Sequence, residues 1–252
     1  MPVRAGQVAS AERIEDGFVV TLDDGSSVGA RRLLVATGLV DGLPDVPGVR
    51  ERWGRDVLHC PYCHGWEVRD QPVGVLAPGP WAVHQALLFR QWTADLTLFL
   101  HTEPRPTDEE AEQLAARGIR VVEGEVSSLE VVDDHLTGVR MRSGEVIALR
   151  ALAIGTRLMA CVEMLADLGL GATGHPLGVG ERVDADGMGL TAVPGVWVAG
   201  NVADLMAQVV GAAEAGVRAG AAINADLVAE DTRHAVAARR HHMSSTAGER
   251  RP

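Results

Sequence analysis

Four short apolar runs that each stop at a glycine constrain this chain more than any other feature. They are Arg32-Leu33-Leu34-Val35-Ala36-Thr37-Gly38, Pro72-Val73-Gly74-Val75-Leu76 with the turn Ala77-Pro78-Gly79-Pro80, Leu152-Ala153-Ile154-Gly155, and Pro194-Gly195-Val196-Trp197-Val198-Ala199-Gly200. A continuous apolar run closed by glycine is the pattern of a strand covered on both faces, as in a parallel sheet. Parallel neighbours need crossovers, and the composition predicts helices over 81–92, 108–117 and 206–229, with a further strand over 96–100. The class expected is α/β with open parallel sheets, in which ligands gather at the carboxyl ends of strands. The count of 29 glycines fits such tight strand-to-helix turns.

The remaining segments are less regular. A weak strand is expected over 7–14, a second over 17–22, a hairpin turn at Asp23-Asp24-Gly25 and a return strand over 27–30. Residues 41–55 read as loop, because Pro44 and Pro47 break any helix there. Residues 121–141 read as strands and turns, and 231–252 as a polar, frayed tail. A chain of 252 residues holds one large or two ordinary domains. Its net charge of −11 leaves no basic face to neutralise phosphates, which argues against a nucleic-acid partner. No apolar run approaches the ~18 residues of a membrane helix. The first six residues lack the apolar stretch of a secretory signal, so the cytoplasm is expected, where disulfides are usually catalytic.

Chemistry concentrates at His59-Cys60-Pro61-Tyr62-Cys63-His64-Gly65, which holds two of the three cysteines. Cys-x-x-Cys places two sulfurs where a thiol pair can open and close a disulfide. Three other readings stand beside this one. Cys-x-x-Cys-His is the haem c attachment pattern, although covalent haem belongs to exported proteins. Zinc would need four ligands; no second Cys-x-x-Cys exists, and the two histidines would complete a cramped site, so no metal is expected. The fourth reading is a pair of small buried residues that never react, which is also the default for Cys161. Met206 reads as core packing, Asp204 as a helix cap, His59 as capping its loop, and His101 and Arg105 as solvated.

Taken in order, Ala36-Thr37-Gly38, Cys60-x-x-Cys63 and the run from Thr191 through Gly200-Asn201 resemble the thioredoxin-reductase-like flavoproteins among the pyridine nucleotide-disulfide oxidoreductases. The Cys-Pro-Tyr-Cys-His-Gly form is most similar to the subgroup containing dithiol oxidases of small natural products. The resemblance implies two Rossmann-like FAD/NAD(P)-binding domains, the second inserted in the first. It implies an FAD-dependent thiol–disulfide oxidoreductase in which Cys63 faces the flavin and Cys60, the more exposed, exchanges with substrate. His64 stands where family members carry an acid/base residue, and its ordinary pKa suits moving a thiol proton. Ala36, Thr37, Gly38, Gly200 and Asn201 fall on flavin-binding positions. Gln208 and Val209 fall where backbone N–H groups at a helix start face the flavin ring. The implied partner is a small disulfide or dithiol, or a thioredoxin-like protein, and the implied assembly is a homodimer.

Two departures from the family pattern stand out. The strand-Gly-x-Gly-x-x-Gly-helix that opens the FAD domain is not found, so that domain is expected to be N-terminally truncated. The nicotinamide turn reads Ala77-Pro78-Gly79-Pro80-Trp81-Ala82, of which only Gly79 and Ala82 fit, and Pro80 lacks a donor. Glu103 would repel a 2′-phosphate, so NADPH is disfavoured, NADH remains open, and reoxidation by oxygen fits this half better. The expected division is 1–49 and 184–231 for the FAD domain, 50–183 for the NAD(P)-like domain carrying the cysteines, and 232–252 for a flexible tail. The competing reading is a non-catalytic fragment or subunit.

Overall fold

The apolar runs that end in glycine form parallel strands, but they divide between two sheets in separate units. The structure, a computed structural model, describes residues 3–77, 79 and 81–248. One unit is built from the segments up to Val40 and from Leu158 onward, the other from Asp41–Arg157.

In the second unit five strands run parallel in the order Val57–Leu58, Ala151–Ile154, Val73–Leu76, Leu96–Phe99, Arg120–Val122. Every residue of the middle three is buried, as expected for runs covered on both faces. One cover is helical: Ala82–Phe89 and Asp108–Ala116 follow the second and third of these central strands and bury Ala86, Phe89 and Leu114. The Asp108–Ala116 helix starts at a capping box, with Thr107 bonded to the Glu110 N–H and the Glu110 carboxylate returning to the Thr107 N–H. The other cover is an antiparallel meander, Val126–Val132, His135–Met141 and Val146–Ala148, whose Leu129, Leu136, Val139 and Ile147 pack on Leu76, Phe99, Leu152 and Ile154.

In the first unit Val8–Ile14, Gly17–Leu22 and Ser27–Ala30 form an antiparallel sheet, joined by the expected turn. Beside it Leu33–Val35 and Val196–Val198 pair in parallel, and Phe18, Val35, Leu165, Val196 and Val198 share one core. Leu165 comes from a 3-10 helix, Glu163–Leu168, packed on the first strand. The helix Val209–Gly248 packs Ala219 on Trp197 and Ala199. Arg31 and Arg32 hold it through ion pairs with Asp226, Glu230 and Asp231.

Several expectations change. Residues 41–55 are not all loop: Leu39–Gly42 is a strand, and Val49–Arg52 makes one helical turn. That turn is entered through Gly48 at φ 94°, so Pro47 directs its start instead of preventing it. The chain changes unit at Val40/Asp41 and Arg157/Leu158, earlier at both crossings than the divisions after 49 and 183. The reason is that 158–183 pairs and packs within the first unit, through Leu158, Cys161 and the 3-10 helix. The last helix begins at Val209, leaving Met206 66% exposed and outside the core. It continues through 232–248, which alanine and arginine favour and no proline interrupts, where a flexible tail was expected; 249–252 lie outside the described residues. Leu34 is exposed, so the run 32–38 is covered less completely than its composition suggests.

Buried Arg52 ties the short helix to the meander, reaching Asp56 and Asp134 Oδ1, the latter at 2.7 Å. Burial pushes the Asp56 carboxyl up, but the Arg52 guanidinium and the Leu136 N–H outweigh it and hold it below the usual carboxylate range. The stabilisation from this depressed carboxyl is present above the ordinary aspartate range and is lost as pH falls through the folded value. Arg52→Met is expected to cost about 3 kcal/mol in urea unfolding at neutral pH, with the deficit shrinking in acid.

Candidate functional site

Proline fixes the start of the dithiol helix, and a sulfur caps it. Pro61–His64 makes a single turn with Pro61 at its first position, where a missing N–H costs nothing. Cys60 is the N-cap, extended at φ −99° and ψ 119°, and its sulfur takes the place of the usual capping oxygen. The Cys63 N–H donates to Cys60 Sγ at 3.2 Å, and the Cys63 thiol donates to the same sulfur at 2.6 Å. A Cβ added at Gly65 would meet Trp92 Nε1 at 2.1 Å and the Pro61 carbonyl oxygen at 2.3 Å, so only glycine ends this turn. Trp66 stands edge-on to Trp92 and carries the Arg69 guanidinium on its face.

The sulfurs are unlike. The Cys63 thiol is pushed up to about 11, first by its own hydrogen bond to Cys60, then by burial and the negative charges of Cys60 and Glu67. Of the two sulfurs it is Cys60 that accepts, from both the N–H and the thiol of Cys63. Exposure runs opposite to expectation: Cys63 is exposed and Cys60 half-buried, because the capping sulfur turns inward over the helix start. His64, half-buried, ends the helix one residue after Cys63, and its N–H donates to the Cys60 carbonyl. His59 does more than cap its loop: its ring meets the carbonyl of Ile154. Among the described residues no cluster of three metal-ligating side chains occurs.

The other predicted residues lie in the first unit. Leu33–Val35 and Val196–Val198 run side by side into Gly38 at φ 75° and Gly200 at φ 84°. Positive φ at both strand ends turns the backbone aside and brings Asn201 Oδ1 to 3.4 Å from where a Gly38 Cβ would stand. Thr37 Oγ1 donates to the Cys161 carbonyl at 2.6 Å and the Cys161 N–H donates to Gly38 at 3.2 Å, so Cys161 buttresses this strand end, half-buried rather than fully interior. Burial, then Glu163, pushes the Cys161 thiol up. Asp204 caps a turn before the helix through the Met206 N–H, not the helix itself. Gln208 and Val209 are exposed at the helix start, where the first N–H groups have no intrahelical partner. These groups fit the hydroxylated chain and ring edge of a flavin: an amide for hydroxyls, glycine for close approach, and N–H donors under a positive helix end. Sequence reading missed a cavity of about 280 Å³ beside Gly200, lined by Arg182, Asp186, Asp204, Glu214 and Arg218.

At the nicotinamide turn Gly79, at φ 116°, and Ala82 lie at the mouth of the Ala82–Phe89 helix. Trp81 is its N-cap without a capping bond, and its ring stands edge-on to His84. His101 is not a solvated loop residue, since its Nδ1 accepts the Val126 N–H at 3.0 Å. Arg105 is spent on Glu123 at 2.8 Å.

Residues 3–216 match the model of the pyridine nucleotide-disulphide oxidoreductases. The chain is 30% identical over 239 residues to the thioredoxin reductase sirT of Leptosphaeria maculans, covering 89% of this chain and 72% of that protein. The crystal structure of HlmI superposes with a TM-score of 0.84 at 44% identity, over 95% of this chain and 75% of that one. An oxidoreductase from Agrobacterium tumefaciens superposes at 0.80 with 34% identity, over 89% and 74%.

The unequal sulfurs predict an order of reaction. Iodoacetamide added to the reduced protein at neutral pH is expected to label Cys60 at least about tenfold faster than Cys63, the latter gaining only as pH nears 11. Peptide mass mapping reads both, and equal labelling would contradict the hydrogen-bond assignment.

Proposed function

The chain belongs to the pyridine nucleotide-disulphide oxidoreductase family as a flavin disulfide oxidoreductase of the thioredoxin-reductase type, and from that premise we propose that Cys60 and Cys63 are its redox pair, FAD its flavin, and a small disulfide or a thioredoxin-like protein its substrate. The observation that carries the assignment is the Cys60 sulfur receiving both the N–H and the S–H of Cys63.

In the reducing direction the Cys60 thiolate attacks a substrate disulfide, forming a mixed disulfide and expelling a substrate thiolate. Cys63 then loses its proton to His64 and attacks the Cys60 sulfur. The internal disulfide closes, and the second substrate thiolate leaves and is protonated. A bound flavin supplies the two electrons that reopen the disulfide. Thr37 and the backbone of Ala36, Gly38 and Gly200 shape the strand ends that would receive it, Asn201 offers an amide to its hydroxyls, and the N–H groups after Gln208 offer donors to its ring edge. The same reading takes the protein to be a cytoplasmic homodimer. No helix among the described residues is long and apolar enough to cross a membrane.

A second reading runs the chemistry the other way, with a small dithiol oxidised and oxygen the final acceptor. It is favoured by Trp81 at the nucleotide turn and by the engagement of Arg105 with Glu123, which leaves it no free charge for a 2′-phosphate.

The test is turnover of a small disulfide with NADH or NADPH, and of a small dithiol with oxygen, after loading with FAD. Cys60→Ser and Cys63→Ser are each expected to lower the active direction at least about 1,000-fold, and His64→Gln about 10²-fold. Asn201→Leu is expected to weaken FAD binding about tenfold with the dithiol chemistry unchanged. Turnover that survives loss of either sulfur, or a chain that takes up no FAD, would overturn the proposal.

A further inference from the structure

His59 precedes Cys60 in the chain, and partners from two other segments hold it. Its Nδ1 lies 3.1 Å from the carbonyl oxygen of Ile154, the last residue of the Ala151–Ile154 strand. A carbonyl only accepts, so Nδ1 carries a proton and donates it to this bond. Thr156 Oγ1 stands 3.5 Å from the same nitrogen and donates to Asp41 Oδ1 at 2.6 Å, which puts one hydroxyl between the imidazole and a carboxylate. The backbone carbonyl of His59 accepts from Nε2 of buried Gln85, on the Ala82–Phe89 helix, at 2.8 Å.

A histidine that merely filled space would need none of these bonds. Here the ring and the peptide are gripped at once, one residue before the sulfur that caps the dithiol helix. The Gln85 bond holds the carbonyl of the peptide that joins His59 to Cys60, and an N-cap must keep its extended dihedrals for its side chain to face the N–H three residues on. The two histidines flanking the cysteines therefore divide the work: His64 follows the proton-bearing Cys63, and His59 is anchored on the Cys60 side.

We propose that His59 is a positioning residue for the dithiol, held by Ile154, Thr156 and Asp41 so that the Cys60 sulfur stays turned to accept both hydrogen bonds from Cys63. The proposal rests on reading Cys60 as the sulfur that meets substrate. It assigns the Asp41–Thr156–His59 chain a purpose that neither the dithiol nor the cofactor positions require. The titratable groups around the pair are Cys63, His64 and Glu67 on the dithiol segment, with Asp41 behind Thr156.

The test uses the full reduced chain without added flavin and reads the rate of Cys60 alkylation by iodoacetamide against pH, with peptide mapping. His59→Leu removes the ring donor and is expected to slow Cys60 at neutral pH about tenfold and to move its rate–pH curve to higher pH. His59→Asn places an amide N–H where Nδ1–H stands and is expected to restore the rate to within about threefold. Thr156→Val, which removes the hydroxyl between the ring and Asp41 and leaves the Ile154 bond in place, is expected to fall between, at about threefold slower. A His59→Leu or Thr156→Val curve that superimposes on the wild type would overturn the proposal, as would His59→Asn being as slow as His59→Leu. Should His59→Leu fail to fold, the Asn and Val variants carry the same comparison against wild type. Because no flavin is used, a failure to bind FAD leaves this result standing, and the two readings fail separately.

Discussion

One sulfur doing the work of an N-cap is the constraint on which the rest of the site depends. Cys60 accepts the Cys63 N–H because the helix begins there, and it accepts the Cys63 thiol because a one-turn helix brings residue four back over residue one. The same geometry makes the sulfurs chemically unequal: the Cys63 thiol, which donates, is pushed up to about 11, while Cys60 accepts. Proline at the first helical position and glycine pressed against Trp92 at the end leave the turn little freedom to unwind. A dithiol so arranged is prepared for exchange before any substrate arrives.

In each unit the residues singled out lie at the carboxyl ends of parallel strands. In the unit of Asp41–Arg157 the strand Val57–Leu58 leads straight into His59 and Cys60, while its neighbour Ala151–Ile154 ends at the carbonyl that holds the His59 ring. In the other unit Leu33–Val35 and Val196–Val198 end in two glycines whose positive φ values make room for Asn201. Strand register thus decides which side chains meet at each end, and the loops carry the reactive groups that the sheets position.

Much of this was legible in the residues themselves. Runs such as Val73–Leu76 and Ala151–Ile154 are apolar at every position, and their shortness with Pro72 and Gly155 at their borders marks them as buried strands. The cysteine spacing announces a pair of neighbouring sulfurs, and their meeting needs no long-range information. What stayed hidden depends on contacts between distant segments. Nothing near His59 in the chain points to Ile154 or Thr156, roughly a hundred residues on, nor near Arg52 to Asp134. The relative exposure of Cys60 and Cys63 followed from the direction of the cap, not from the motif. Over 232–248 polar composition suggests disorder, but the alanines and arginines there carry good helix propensity and the helix runs on to Gly248.

The central claim, that the Cys60–Cys63 pair and a flavin form one electron-transfer system in this chain, is tested most directly by an anaerobic reductive titration of the FAD-loaded protein. The account predicts that each chain takes up two pairs of electrons, one for the flavin and one for the disulfide, and that replacing either cysteine by serine removes one pair. Uptake of a single pair by the wild-type chain, unchanged in the serine variants, would contradict it.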